Sequence, residues 1–122
     1  MPKLRHLDRA GLHIRVVLPG GVAVGPGRAD LLEFIRDLGS IAAAARAMEM
    51  SYRRAWLLVN ETAEAFGAPV ILAAPGGAKG GKARLTELGA SVLASYRKIE
   101  TSAAIGTAAD VSALEALIMR RH

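Results

Sequence analysis

SIAAAARAMEMSYRRAWLLVNETA, residues 40–63, reads as two short helices joined by a tight turn. Ser40 has the side-chain oxygen an N-cap needs, and Ile41 to Met48 is so rich in alanine that its backbone can lie very close to a neighbouring helix. Glu49 and Met50 make the turn. Ser51 supplies a second N-cap, and Ala55, Leu58, Val59, Thr62 and Phe66 recur at helical spacing as a buried stripe until Gly67 and Pro69 end the run. This is the arrangement of a helix-turn-helix: the first helix braces the second, and the second enters the major groove of a duplex by its N-terminal end. Ser51, Tyr52, Arg53 and Arg54 lie at that entering end. Arginine donates two hydrogen bonds to the O6 and N7 edge of guanine. Tyrosine and serine reach phosphate or base edges, and the positive helix terminus itself attracts phosphate. Asn60, two turns after Arg53, reaches adenine only from a deeply seated helix. Trp56, beside the buried stripe, reads as core or subunit contact.

Read singly, Arg53 and Arg54 fit a solvated basic helix start equally well, and Tyr52 fits a half-buried core residue. The flanking sequence favours the binding reading. Upstream, Leu12, Ile14, Val16 and Leu18 alternate with His13, Arg15 and Val17 as a strand. Pro19 to Gly21 turn the chain, and Val22 to Val24 return it as a small hairpin. Leu31, Phe34, Ile35 and Leu38 then share one helical face, with Gly39 as the stop. Downstream, Val70 to Ala74 and Lys82 to Leu85 flank the glycine-rich stretch Pro75 to Gly81, which suggests a second antiparallel hairpin. Lys79, Lys82 and Arg84 make it basic, no acidic residue lies between Val70 and Thr86, and the glycines permit close approach to phosphates. A basic hairpin beside a recognition helix is a wing; the plain alternative is a soluble hairpin with lysines guarding its edges. Gly76, Gly81 and Lys82 also match most of a nucleotide-binding G-x-x-x-x-G-K-[ST] loop. Ala83, however, has no hydroxyl for magnesium, and the following residues read as strand where such a loop needs a helix.

Thr86 caps a fourth helix bearing Leu88, Val92, Tyr96 and Ile99, expected to run to about Ala104 before Gly106 interrupts it. Asp110 to Met119 then reads as a final helix. The expected fold is mainly α with small β-hairpins, a winged helix-turn-helix. Residues 1–105 form the hairpin and DNA-binding domain, and residues 106–122 a C-terminal helical extension. Val92, Tyr96, Ile99, Val111, Leu114, Leu117 and Ile118 present more apolar surface than one small helical layer needs, which points to a homodimer.

Composition narrows the functional classes. A chain of 122 residues with 52% hydrophobic and 22% charged residues can bury one core and is not a disordered tail. Its net charge of +5 and pI near 10.2 favour polyanionic partners, while 4% aromatic content disfavours stacking on single-stranded bases. The absence of cysteine excludes disulfides, thiolate nucleophiles and cysteine zinc sites, and fits a cytoplasmic protein. The first 21 residues are broken by Arg5, His6, Asp8, Arg9, His13 and Arg15, so no signal peptide or membrane helix is expected. His6, His13 and His122 are scattered, and Glu61 and Glu64 on one helix face read as solvated charges. No catalytic residue, metal or cofactor is assigned.

GRADLLEFIRDLGSIAAAARAMEMSYRRAWLLVNE, from Gly27, with GGAKGGKARLTELG, from Gly76, resembles the N-terminal DNA-binding domain of the molybdate-responsive ModE regulators and, more distantly, the winged helix of LysR-type regulators. The likeness runs from about Gly27 to Tyr96, and S-Y-R-R-A-W and L-T-x-x-G are its most specific parts. The resemblance implies a homodimeric transcription factor that binds double-stranded DNA, with the third helix in the major groove and the wing on the backbone. Ser51, Tyr52, Arg53 and Arg54 correspond to the helix contacts, and Lys79, Lys82 and Arg84 to the wing. Relatives append a molybdate-binding region. The sequence ends at His122, and Thr101 to Ala104 does not make an oxyanion site, so no separate molybdate-binding domain is expected. The expected function is sequence-specific regulation in molybdenum-related gene control. Sequence-tolerant architectural DNA binding and a protein-interaction adaptor are the alternatives.

Overall fold

The computed structural model describes residues 10–74 and 81–119. Its first hairpin pairs β1 (Val16–Val17) antiparallel with β2 (Ala23–Val24), Val16 opposite Val24 and Val17 opposite Ala23. Gly20 and Gly21, at φ 95° and 97°, take the left-handed turn that side chains resist. The strand is shorter than the alternation from Leu12 to Leu18 suggests. The carbonyl of Ile14 is occupied elsewhere, accepting a 2.7 Å hydrogen bond from the Tyr96 hydroxyl.

Helix α1 (Pro26–Leu38) starts on a proline whose missing N–H costs nothing there, and ends at Gly39, which adopts φ 78° and donates to the Ile35 carbonyl. Helix α2 (Ile41–Ala47) follows at once. Ser40 Oγ accepts from the Ala43 amide at 3.0 Å, a cap contributing about 1 kcal/mol. After the turn through Glu49, helix α3 (Tyr52–Phe66) ends at Gly67, again left-handed at φ 78°. Strands β3 (Ile71–Ala74) and β4 (Lys82–Leu85) form the second antiparallel hairpin, with Ile71 opposite Leu85 and Ala74 opposite Lys82. Helix α4 (Glu87–Met119) completes a mainly helical body with two small hairpins.

Alanine at the crossings sets the packing. Ala44 and Ala55 have no exposed surface, so α1, α2 and α3 lie close together around Leu31, Leu32, Ile35, Ile41 and Val59. Val92, Leu93 and Tyr96 close the core from α4. Phe66, expected in the buried stripe of α3, is only half-buried, and packs against the core from its edge.

The L-T-x-x-G stretch has a mechanical reason. Thr86 Oγ1 donates to the Pro69 carbonyl at 2.8 Å and accepts from the Gly89 amide at 3.0 Å, so a single hydroxyl starts α4 and anchors it to the chain before β3. At Gly89 a Cβ would stand 2.0 Å from the Val70 carbonyl oxygen. Only glycine lets the helix approach so closely.

Gly106 does not interrupt α4, which runs unbroken for 33 residues, about 50 Å at 1.5 Å per residue. The expected break and separate last helix are therefore corrected. One exposed glycine costs a helix only about 1 kcal/mol, and the alanine-rich neighbours tolerate it. Beyond Glu100 no described side chain of α4 is buried.

Two arginines cross-link the elements. Arg97 on α4 reaches Asp30 at 2.8 Å and Glu33 at 3.2 Å on α1, and Glu100 at 3.0 Å on its own helix. Burial opposes the charge on Arg97, but hydrogen bonds to Asp30 and Glu100 outweigh it and raise the guanidinium pKa. Arg28 on α1 joins β2 to α3, donating to the Ala23 carbonyl, the Leu58 carbonyl, Thr62 and Glu61. Among the described residues no helix is long and apolar enough to cross a membrane.

Candidate nucleic-acid interface

The entering end of α3 is built by Ser51. In extended backbone (φ −70°, ψ 154°), its Oγ accepts from the Arg54 amide at 3.0 Å. The first turn is thereby fixed with Tyr52, Arg53 and Arg54 all exposed.

At 100° per residue, the buried positions Ala55, Leu58, Val59 and Thr62 define the inner face of α3. Arg53, Leu57, Asn60 and Glu64 fall opposite, and all four are exposed. Tyr52 is 51% exposed and sets its ring at 75° to that of Trp56, with centroids 6.3 Å apart. Trp56 is half-buried against the core and serves as the platform for Tyr52, consistent with its reading as a packing residue. Tyr52 itself is not a core residue.

Arg53 and Arg54 are thus not equivalent. Arg53 stands in the middle of the outer face. Arg54 turns toward an open cleft of about 770 Å³ between α3 and the first hairpin, whose walls also hold Arg15, Glu49, Glu61 and Glu64. That cleft is electrically mixed, whereas Leu57 and Asn60 beside Arg53 are uncharged. An outward arginine with an amide and an apolar side chain on the following turns can donate to purine edges and touch a thymine methyl. Leu57 escaped the sequence reading because a leucine one turn into an amphipathic helix looks like core; its register against Ala55 and Val59 was the available signal.

On β4, Lys82 and Arg84 are exposed while Ala83 between them is buried, the period-two alternation of a strand. Arg84 lies across from Leu72 and Lys82 from Ala74, so both cations leave one face of the hairpin. The strand is tied to the end of α1 by a 2.8 Å bond from the Ala83 amide to the Gly39 carbonyl. Lys79 lies outside the described residues, as do all of residues 75–80.

Glu61 is not the solvated charge its position suggests, since its Oε1 takes a 2.7 Å bond from Arg28. The partners are 33 positions apart, and no local pattern marks the pair. Among the described residues no group of three or more His, Cys, Asp or Glu could hold a metal ion.

These observations define a mainly helical body with two antiparallel hairpins, whose third helix starts with an exposed, capped, basic turn. Comparison with known proteins adds relatives of one kind. The molybdenum-pterin-binding proteins MopA and MopB of Rhodobacter capsulatus are 43% identical over 81 residues and 44% identical over 84 residues, covering 66% and 69% of this chain and 31% of each relative. The molybdenum transport protein ModE of Azotobacter vinelandii is 34% identical over 100 residues, 82% of this chain and 36% of its own. A relation to the ModE family is supported by these matches. The chain spans about a third of the length of these curated relatives. No protein-family model matches it. The relatives' names describe molybdenum-pterin binding and molybdenum transport, with no catalytic activity among them.

Proposed function

We propose that the protein is a winged helix-turn-helix regulator that binds double-stranded DNA sequence-specifically, as a homodimer, in molybdenum-related gene control. The observation that carries this reading is the Ser51-capped start of α3, which presents Tyr52, Arg53 and Arg54 while Asn60 and Leu57 continue the outer face of the helix. Helix α3 enters the major groove with Arg53 on a guanine edge, and Ser51, Tyr52 and Arg54 hold phosphate or neighbouring bases. Strands β3 and β4 form the wing, where Lys79, Lys82 and Arg84 act on the backbone and strengthen binding to any sequence. Residues 1–105 make up the DNA-binding unit and residues 106–122 its C-terminal extension, of which α4 carries the part to Met119.

Dimerisation is supported by the part of the apolar stripe the monomer leaves uncovered. Val92 and Tyr96 are buried in the core, but Ile99, Leu114, Leu117 and Ile118 remain between 42% and 66% exposed. A two-fold dimer sets its recognition helices about 34 Å apart, or a multiple of that, and reads inverted half-sites. The molybdenum link rests on the relatives.

Selection of duplexes from a random pool tests the reading. Enrichment of an inverted repeat with half-sites spaced by about one helical turn is expected. Equal affinity for selected and random duplexes at fixed salt would replace it with sequence-tolerant binding, and tight capture of a protein partner without duplex binding would favour an adaptor.

A further inference from the structure

We infer that Arg28 is a positioning residue for base recognition: its guanidinium fixes the rotation of α3 against α1 and the first hairpin, and so sets the angle at which Arg53 and Asn60 are presented. The inference rests on the reading of α3 as the recognition helix.

The geometry is that of a hub. Arg28 is the third residue of α1, and its side chain is 17% exposed. Nε donates to the Ala23 carbonyl of β2 at 2.9 Å. One terminal nitrogen donates to the Leu58 carbonyl at 2.9 Å and to Thr62 Oγ1 at 3.1 Å, and the other to Glu61 at 2.7 Å. Three elements thus meet on one planar fork, whose donors have fixed directions; a lysine ammonium at the same place has no such geometry. The grip on α3 falls about two to three turns below its exposed start. The Leu58 carbonyl also accepts a 2.7 Å bond from the Thr62 hydroxyl, a back-bond that tilts a carbonyl away from the helix axis, here on the side where Arg28 waits.

The inner face of α3 is already held by Ala55, Leu58 and Val59 in the core, but burial of apolar surface is non-directional. The directional bonds from Arg28 supply what that packing lacks. A bidentate contact to a base tolerates an error of about 10–20° in presentation, while phosphate contacts from flexible side chains tolerate more. Loosening α3 therefore harms discrimination before it harms general affinity.

The test compares two duplexes, one selected from a random pool by the parent protein and one of scrambled sequence, with the parent, R28K and E61A, together with thermal melting of each. For R28K the preference for the selected duplex is expected to fall about tenfold, the loss of one well-placed base contact, while affinity for the scrambled duplex stays within about twofold. E61A removes the outermost bond without touching the core, and a fall in preference of about threefold is expected. It carries the test if R28K does not fold. Unchanged preference in a folded R28K, or equal losses on both duplexes, overturns the inference. A parent protein without any preferred duplex removes the recognition-helix reading itself.

Discussion

Replacing Gly89 with alanine is expected to destabilise the protein although alanine is the better helix former. The substitution improves helix propensity by about 1 kcal/mol. Against that, the new Cβ would sit 2.0 Å from the Val70 carbonyl oxygen, 3.0 Å from its carbon and 3.3 Å from the Val70 Cα, all backbone atoms with no rotamer to yield. Relief requires α4 and the chain at Val70 to separate by about 1 Å, since non-bonded contact to carbon is comfortable only beyond about 3.3 Å. That separation strains the 3.0 Å bond from the Thr86 amide to the Val70 carbonyl and the 2.8 Å bond from Thr86 to Pro69. Each is worth about 1 kcal/mol, and overpacking adds about 1–3 kcal/mol. The net loss is about 2–4 kcal/mol, to be read as a lower urea midpoint at unchanged slope. Gly106 is the internal control on the same helix: nothing lies within 4 Å of its Cβ position, so G106A should stabilise by up to about 1 kcal/mol. A G89A protein as stable as the parent would refute the claim that backbone approach, rather than propensity, places glycine there.

Arg53→Ala should cost about 1–3 kcal/mol on the selected duplex and little on random sequence, measured by competition at fixed salt; equal losses on both would remove its base-reading role. Lys82→Ala should weaken all duplexes alike and lower the slope of log affinity against log salt by about one, and an unchanged slope would take β4 away from the phosphates. Burial first, and the charge of Glu100 second, push the Tyr96 hydroxyl up to about 12. The raised folded-state value makes its stabilising effect complete below the unfolded value of about 10 and lost as pH rises toward 12. Urea melts between pH 9 and 12 should therefore show a decline, on the order of 2 kcal/mol, that Tyr96→Phe lacks. The same decline in Tyr96→Phe would assign it to other groups.

Much of the fold was legible because its signals are local. Ser40 and Ser51 as caps, Gly39 and Gly67 as stops, and the return strand Lys82 to Leu85 each depend on residues a few positions apart, and each is found in the expected place. Where tertiary contacts compete, local pattern failed. The alternation from Leu12 to Leu18 overstates β1, because the register would set Ile14 opposite Pro26, which has no N–H and begins α1; the Ile14 carbonyl instead accepts from Tyr96, 82 positions away. Gly106 suggested a break, yet the helix that starts at Thr86 continues through it, since nothing there favours another path. The basic start of α3 was legible as a group, but the division between an outward Arg53 and a cleft-facing Arg54 follows from which side of α3 meets the core.

The sequence by itself determined the caps and stops of α2 and α3, the stop of α1, the start of α4 and which residues lead α3, since capping and periodicity act within one or two turns. Only the tertiary structure decided that Arg28 meets Glu61 and Thr62, that Arg97 meets Asp30, and that Gly89 must lie against Val70. Those contacts join residues dozens of positions apart, with the exception of Gly89 and Val70 at nineteen, and their strength depends on the directions that close packing gives to fixed donors and backbone atoms rather than on residue type.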